Sequence, residues 1–189
     1  MAGIVAVIPA RLNSTRFPRK VIYPYRRKPL LFYVWNEVRR SRLIDRVIIA
    51  TDSVEIQQTA ESFGAEVVRT SSRHATGSDR AAEAIGRIPG RIIVNVQADN
   101  FGVKAAVLDR AVAAMVADRK MRFATLAYRL TDDAELFNPN VVKVVISPKD
   151  RRALWFSRFP IPYVRDVAED NRTGQYRVFA DFQFNNPTG

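Results

Sequence analysis

A basic segment follows the first apolar stretch of the chain and has the composition of a phosphate-binding loop. Arg11, Arg16, Arg19 and Lys20 lie within ten residues, and polar residues 13–15 lie between them. A triphosphate is bound by several cations and hydrogen-bond donors placed around one compact anion. The spacing is not that of a GxxxxGK[ST] loop. The segment is therefore a candidate triphosphate loop, and a solvated basic surface is the alternative.

A second segment, RHATGSDR at 73–80, combines a glycine with a predicted helix start. Gly77 would let the backbone approach a ligand, and the first turn of the helix would offer free amide groups to an anion. The alternative is an ordinary helix capped by Thr76 or Ser78. His74 is the single histidine of the chain, and we interpret it as a loop residue rather than a catalyst.

A third segment, QADN at 97–100, directly follows the apolar run RIIVNV. A carboxylate at the end of a buried strand, here Asp99, is well placed to bind Mg²⁺. Such a metal would bridge phosphate oxygens and offset the charge of a departing pyrophosphate. The alternative is that Asp99 only forms a turn.

Alternating strand and helix patterns predict an α/β fold with a mainly parallel central sheet covered by helices. In such sheets ligands bind beyond the carboxyl ends of the strands, so the three segments should converge there. Residues 9–28 are expected to form a long loop, and 175–184 an edge strand. The other predicted strands are 3–8, 46–50, 65–69, 91–96, 123–128, 141–146 and 153–156; the predicted helices are 29–40, 52–63, 76–88 and 104–116.

Composition excludes several kinds of chemistry. The 189 residues include no cysteine and one histidine, which excludes disulfides, cysteine nucleophiles and multi-histidine zinc sites, and makes a Ser-His-Asp triad improbable. The net charge of +11 favours anionic partners. The N-terminus lacks the features of a secretory signal, and no apolar run has the length of about 20 residues that a membrane helix needs. We expect one domain, 1–189, in the cytoplasm.

The three segments, with four others, resemble the 3-deoxy-manno-octulosonate (Kdo) cytidylyltransferase family of the nucleotide-sugar transferase group. The resemblance covers about residues 4–166 and implies a three-layer nucleotide-diphospho-sugar transferase-like fold. The matching pieces are IPARLNSTRFPRK at 8–20, KPL at 28–30, IIATD at 48–52, HATGSDRAAEAI at 74–85, IIVNVQAD at 92–99, FNPNVVKVV at 137–145 and ALWFSRFPIPYVRD at 153–166.

The resemblance implies that the anomeric hydroxyl of Kdo attacks the α-phosphate of CTP and that pyrophosphate leaves, a reaction of lipopolysaccharide biosynthesis. Arg11, Lys20 and Asp99 would be the catalytic residues, and Asp99 would bind the Mg²⁺ cofactor. Gln97 and Arg158 would face the sugar acid. The implied nucleotide-binding residues are Ala10, Arg11, Arg16, Lys20, Ser78 and Arg80. The implied partners are CTP, a Kdo-like sugar acid and a second copy in a homodimer, with no membrane and no specific nucleic acid.

The chain departs from the family pattern at a few positions. The family has glycine where this chain has Arg19 and Arg27, and QGDEP where this chain has QADNF at 97–101. The family also carries a second Mg²⁺ carboxylate in a C-terminal part that this sequence lacks, so we expect Mg·CTP binding with little pyrophosphate release. The alternatives are a truncated or inactive homologue that binds nucleotide without turnover and, on charge alone, a basic nucleic-acid-binding protein.

Overall fold

The structure is a computed structural model that describes residues 3–12, 18–86, 88, 90–161 and 179–181. Its contacts divide the chain into two compact units, which we call the first unit (Met1–Arg122) and the second unit (Phe123–Gly189). Each unit is described by itself. The grouping of both into one domain stays a prediction.

The first unit contains a four-stranded parallel sheet with the strand order β5-β4-β1-β6. The mainly parallel central sheet predicted from the apolar strand patterns is thus confirmed. The elements are β1 (Gly3–Ala10), β2 (Pro24–Tyr25), β3 (Lys28–Pro29), α1 (Leu30–Arg39), β4 (Arg46–Thr51), α2 (Val54–Glu61), β5 (Glu66–Arg69), α3 (Gly77–Gly86), β6 (Gly90–Asn95) and α4 (Ala105–Ala117).

Alternation along the central strands gives this sheet two apolar faces. Val5 and Val7 of β1 pack with Ile48 of β4 and with Ala81 and Ala84 of α3. Side chains of a strand alternate in direction, so the buried Ala6 and Ile8 point to the opposite face. Helices therefore cover both faces, which is the layered arrangement that buried parallel strands require.

The start of α2 differs in detail from the sequence prediction. Asp52 with Glu55 three residues on is the pattern of a capping box, but Ser53 is the N-cap, and its Oγ accepts a hydrogen bond from the Ile56 amide at 3.3 Å. The Asp52 carboxylate instead pairs with Arg80 of α3. The predicted end of this helix is confirmed, since Gly64 has a φ of 82°.

The segment expected to be a long loop contains ordered structure. A 3-10 turn spans Lys20–Ile22, and β2 and β3 form a short antiparallel hairpin. Arg26 and Arg27 at the hairpin tip have φ values of 44° and 71°, and Arg19 has a φ of 62°. Arg19 and Arg27 occupy the two positions at which the family pattern has glycine, the residue that adopts this left-handed conformation most easily.

The second unit contains a separate antiparallel sheet with the strand order β7-β10-β8-β9. The sequence patterns predicted β8 and β9, and of the predicted strand 123–128 only the last two residues belong to β7. The antiparallel pairing was not predicted. Residues 179–181 pair with both β7 and β8, so the prediction of an edge strand was wrong. Which strands lie next to each other depends on contacts between distant segments, and a local sequence pattern does not encode those contacts. The elements are β7 (Ala127–Arg129), α5 (Asp133–Phe137), β8 (Lys143–Ile146), β9 (Ala153–Ser157) and β10 (Phe179–Asp181).

Strand β9 pairs with β8 and carries large exposed apolar side chains. Leu154, Trp155 and Phe156 are exposed, as is Phe159 just beyond the strand. The small core of this unit consists of Leu130, Leu136 and Val141, with Tyr128 and Phe137 packed against it. None of the described helices of either unit has the length and apolar character needed to cross a membrane.

Candidate functional site

The candidate site lies at the carboxyl edge of the parallel sheet in the first unit. The strand register places Ala10 beside Thr51, and Thr51 beside Arg69, at the ends of β1, β4 and β5. Because the three strands end together, the segments that follow them start at one edge. The segment after β6 joins this edge, since the Val96 amide donates to the Val7 carbonyl at 3.0 Å.

The basic first loop and the acidic segment after β6 meet at this edge. Lys20 Nζ lies 3.6 Å from Asp99 Oδ2, although the two residues are far apart in sequence. The Asp99 side chain is 51% exposed and that of Lys20 is 26% exposed. An ion pair with this exposure is weak and easily rearranged, so both groups remain available to a ligand.

Arg11 connects the first loop to the second predicted segment. It directly follows β1, is exposed, and its Nη1 donates to the carbonyl of Ala75 at 3.4 Å. This long hydrogen bond is the one that Arg11 makes to the described part of the chain, and it leaves the other guanidinium donors for an anion. Arg16, also predicted to bind nucleotide, lies outside the described residues.

Arg19 closes the base of the first loop. Its amide donates to the Leu12 carbonyl at 2.9 Å, and its guanidinium pairs with Glu55 of α2. Both contacts hold a residue with a left-handed backbone. A non-glycine residue in that conformation costs about 1–2 kcal/mol, so the loop base carries local strain that these contacts offset.

Arg80 is buried in the first turns of α3. Its Nη1 donates to Thr70 Oγ1 at 2.6 Å and to the Ser71 carbonyl at 3.4 Å, while its Nη2 lies 3.1 Å from Asp52 Oδ1. One guanidinium thus connects the segments that follow β4 and β5 to α3. Its proposed place in the cytidine pocket stays a prediction, and these contacts define it as a clamp beside that edge.

Gly77 allows a close approach between α3 and the segment after β6. A Cβ atom at this position would lie 2.7 Å from Gln97 Oε1 and 3.3 Å from Pro9 Cγ. The Gln97 amide donates to Asn95 Oδ1 at 3.3 Å, and the Asn95 amide donates to Ser78 Oγ at 3.4 Å. The two predicted site residues Gln97 and Ser78 are therefore connected through Asn95.

The start of α3 is held by a reciprocal cap. The Thr76 hydroxyl donates to Asp79 Oδ2 at 2.7 Å, and the Asp79 amide donates to Thr76 Oγ1 at 3.1 Å. Hydrogen bonds from the Thr76 side chain and amide lower the pKa of Asp79. His74 Nε2 lies 2.5 Å from Glu83 Oε2, which fits a loop-anchoring role for this histidine.

Arg158 and the segment FNPNVVKVV belong to the second unit. Arg158 is exposed, and its Nη1 donates to the Pro139 carbonyl at 2.7 Å. Lys143 is 1% exposed, and its Nζ donates to the carbonyls of Asn138 at 2.9 Å and Val141 at 2.8 Å. Both cations thus bind backbone carbonyls of the turn 138–141.

Sequence reasoning missed three residues with a structural part in these regions. They are Asp52 as the partner of Arg80, Glu55 as the partner of Arg19, and the buried Lys143. The sequence signal for Asp52 was its position immediately after a buried strand. The same kind of position marked Asp99 as a candidate metal ligand. Glu55 and Lys143 gave no local signal, because their partners come from other segments.

Metal binding at Asp99 would have to use few protein ligands. Within the described residues, no group of three or more His, Cys, Asp or Glu side chains is placed to hold a metal ion. Mg²⁺ is commonly bound by one or two carboxylates together with substrate phosphates and water. The exposed Asp99 carboxylate, next to cations that suit phosphate, fits such a site.

The fold and the basic edge of the parallel sheet define an α/β protein of the nucleotidyltransferase class. A solved structure described as CMP:2-keto-3-deoxy-manno-octonic acid synthetase complexed with CTP superimposes with a TM-score of 0.87 at 29% identity, over 96% of this chain and 72% of that one. A 4-diphosphocytidyl-2C-methyl-D-erythritol synthase structure shares the fold alone, with a TM-score of 0.57 at 13% identity over 82% of this chain and 71% of that one.

The sequence identifies the family within this class. A family model described as cytidylyltransferase matches residues 5–184, and the chain belongs to this cytidylyltransferase family. The 3-deoxy-manno-octulosonate cytidylyltransferase of Geobacter metallireducens is 42% identical over 88% of this chain and 65% of its own length. That of Neisseria meningitidis serogroup B is 42% identical over 88% of this chain and 66% of its own length. The chain spans about two thirds of the length of these relatives.

Proposed function

We propose that this chain couples CTP to 3-deoxy-manno-octulosonate or a closely related sugar acid, giving the CMP-sugar and pyrophosphate. The observation that carries the proposal is the approach of Lys20 to Asp99 at the carboxyl edge of the parallel sheet. Membership of the cytidylyltransferase family supports the nucleotide, and the 42% identity to Kdo cytidylyltransferases supports the sugar acid.

In this proposal the nucleotide lies along the carboxyl edge of the first unit. Arg11 and Lys20 bind the triphosphate, because both are cations at that edge with donors left for an anion. Arg16 completes this set. Ser78, exposed at the first turn of α3, and the backbone of Ala10 contact the cytidine, and Arg80 keeps the adjoining segments in place.

Asp99 is proposed to hold Mg²⁺ against the phosphates. When bound, the metal supplies positive charge that offsets the charge developing on pyrophosphate. Lys20 then exchanges its contact with Asp99 for a phosphate oxygen. This exchange costs little, because an exposed ion pair contributes at most about 1 kcal/mol.

We propose sugar-acid contacts separately for Gln97 in the first unit and for Arg158 in the second unit. The planar guanidinium of Arg158 suits a carboxylate, since it donates two parallel hydrogen bonds. The amide of Gln97 offers both a donor and an acceptor to hydroxyl groups.

The residues described here accelerate the reaction by positioning and by charge. The anomeric hydroxyl attacks the α-phosphate, and the bond from that phosphorus to the pyrophosphate oxygen breaks. Phosphoryl-type transfer needs little covalent help from side chains, so orienting the two substrates and neutralising charge supply most of the catalysis. As the resemblance implies, we assign this reaction to lipopolysaccharide biosynthesis in the cytoplasm.

CTP titration by calorimetry tests the nucleotide site. Arg11→Ala and Lys20→Ala should each weaken CTP binding by at least about 1.5 kcal/mol, the range of a charge-assisted hydrogen bond. Lys28→Ala is the matched control, because Lys28 is an exposed cation of the hairpin. Unchanged CTP affinity in both site variants would contradict the proposal. An equal loss of affinity in the control would show that CTP is attracted only by the overall positive charge.

A pyrophosphate-release assay with CTP and Kdo tests turnover. Asp99→Asn should abolish Mg²⁺-dependent CTP binding while leaving the unfolding temperature nearly unchanged, because the carboxylate is half exposed. Turnover by the wild-type chain supports the full reaction. Selective CTP binding without release would instead identify a nucleotide-binding homologue, and strongly salt-dependent binding of nucleic acid would favour the nucleic-acid alternative.

The proposed homodimer is supported by the exposed apolar residues of β9. Leu154 and Phe156 on one face of β9 and Trp155 on the other are all exposed, which is unusual for a strand that faces only water. Sedimentation of the chain should show a dimer, and Trp155→Lys should shift it toward monomer. A wild-type chain that sediments as a monomer at all concentrations would contradict this part of the proposal.

A further inference from the structure

Lys143 is a buried cation that the proposed reaction does not use. It lies in the middle of the antiparallel sheet, with β9 on one side and β10 on the other. Lys143 is 1% exposed, and among the described residues no carboxylate pairs with its ammonium group. Burying an ammonium group is costly, and an apolar side chain of similar size would fill this space without that cost. The charge at this position therefore needs a reason.

Within the described part of the chain, the side-chain hydrogen bonds of Lys143 go to one turn of backbone. Its Nζ donates to the carbonyls of Asn138 at 2.9 Å and Val141 at 2.8 Å. The carbonyl of Pro139, which lies between these two in sequence, accepts a hydrogen bond from Arg158 Nη1 at 2.7 Å. The turn 138–141 is thus held by Lys143 and in turn holds Arg158.

The strand register brings the two cations close together. Lys143 of β8 pairs with Ser157 of β9, and Arg158 is the next residue. Burial lowers the pKa of Lys143, and the nearby positive charge of Arg158 lowers it further. Two neighbouring cations with carbonyl partners keep an excess of positive charge, which favours an anionic ligand at the exposed member of the pair, Arg158.

We infer that Lys143 is a positioning residue for Arg158: by fixing the turn 138–141 it fixes the guanidinium that recognises the carboxylate of the sugar acid. The part of this inference that concerns the sugar acid rests on the proposed function. The part that concerns the orientation of Arg158 stands on the contacts of the second unit alone. Removing Lys143 frees the turn 138–141, whose Pro139 carbonyl orients Arg158.

The first experiment measures Arg158 directly, without any substrate. In the full chain labelled with ¹⁵N-arginine, rotation of the Arg158 guanidinium should be slow in the wild type, because one Nη is held by Pro139. Lys143→Met should accelerate this rotation severalfold. The matched control is Lys149→Met, which removes an exposed lysine from the same unit. Unchanged rotation in Lys143→Met would overturn the inference whatever the substrate of the protein is.

The second experiment measures affinity for Kdo and for CTP separately. Lys143→Met should weaken Kdo binding at least about tenfold, as the loss of an orienting contact does, and leave CTP binding within about twofold. The double variant with Arg158→Gln should bind Kdo no more weakly than Arg158→Gln alone, because residues acting through one another are not additive. Additive losses, or equal losses for both ligands, would show that Lys143 is only structural.

The two experiments separate failure of this inference from failure of the proposed function. A wild-type chain that does not bind Kdo contradicts the proposed function, while the rotation measurement still decides the role of Lys143. If Lys143→Met does not fold, Lys143→Leu is a second apolar replacement that also removes the donor. It should also free the guanidinium, and failure to do so would overturn the inference.

Discussion

Three cations of the first unit and two of the second are held by different kinds of partner. In the first unit Arg80 pairs with Asp52, Arg19 with Glu55 and Lys20 with Asp99. In the second unit Lys143 and Arg158 bind backbone carbonyls of the turn 138–141. Carbonyl oxygens satisfy the donors of a cation but do not cancel its charge, whereas carboxylates do both.

This difference indicates a different use of positive charge in each unit. At the parallel-sheet edge the exposed carboxylate of Asp99 lies beside Lys20, which in the proposed function exchanges it for a phosphate, and the buried pair of Arg80 serves structure. In the second unit the charge is retained, and a sugar carboxylate would be its counter-ion. Three predictions test how far this comparison extends.

The largest effect is expected at Arg80. Arg80→Met should lower the free energy of unfolding by at least about 2 kcal/mol, because it leaves Asp52 and Thr70 without their buried partner. Arg158→Met in the second unit removes one exposed guanidinium and should cost less than about 0.5 kcal/mol. Urea denaturation of both variants measures the contrast. Similar losses at the two positions would contradict the distinction between a structural and a ligand-binding cation.

A smaller effect of opposite sign is expected at arginines with a left-handed backbone. Arg27 of the first unit and Arg151 of the second have φ values of 71° and 59°. Arg27→Gly and Arg151→Gly should each raise the free energy of unfolding by about 0.5–1 kcal/mol, because relieving about 1–2 kcal/mol of strain exceeds the entropy cost of glycine.

The matched control for these glycine variants is Arg39→Gly near the end of α1. Glycine in a helix costs about 1 kcal/mol relative to alanine, so this variant should lose stability. Arg19→Gly should gain less than Arg27→Gly, since it also loses the pairing with Glu55. A stability loss in both Arg27→Gly and Arg151→Gly would show that these side chains stabilise their turns through contacts.

No effect at neutral pH is expected from Tyr128 of the second unit, whose contribution to stability changes only in alkaline solution. Burial, with a hydrogen bond to Glu135, raises the pKa of Tyr128 to about 12 from its ordinary value of 10.0. The folded state therefore favours the neutral phenol. This contribution to stability is fully present below pH 10 and is lost as the pH rises toward 12. Tyr128→Phe should unfold with a flatter pH dependence in that window, measured by denaturation at several pH values. An unchanged pH profile would show that the phenol ionises equally in both states.

The sequence predicted the first unit in more detail than the second. Apolar runs such as RVIIA and RIIVNV identified β4 and β6, and Gly64 identified the end of α2, because each signal is local. The antiparallel sheet of the second unit was not predicted, since its pairings connect β10 with β7 and β8 across long stretches of chain. The hairpin of β2 and β3 was also missed, because its tip has two arginines where glycine or asparagine would mark such a turn.

By itself the sequence determined the strands and helices of the parallel unit, the three segments at its carboxyl edge and the family to which the chain belongs. These follow from hydrophobic periodicity and from motifs read within a few residues of one another. Only the tertiary structure decided that Lys20 meets Asp99, that Arg80 is buried against Asp52 and that Lys143 holds the turn beneath Arg158. Each of these pairings depends on strand order and register, and those are fixed by packing between segments that are distant in the chain.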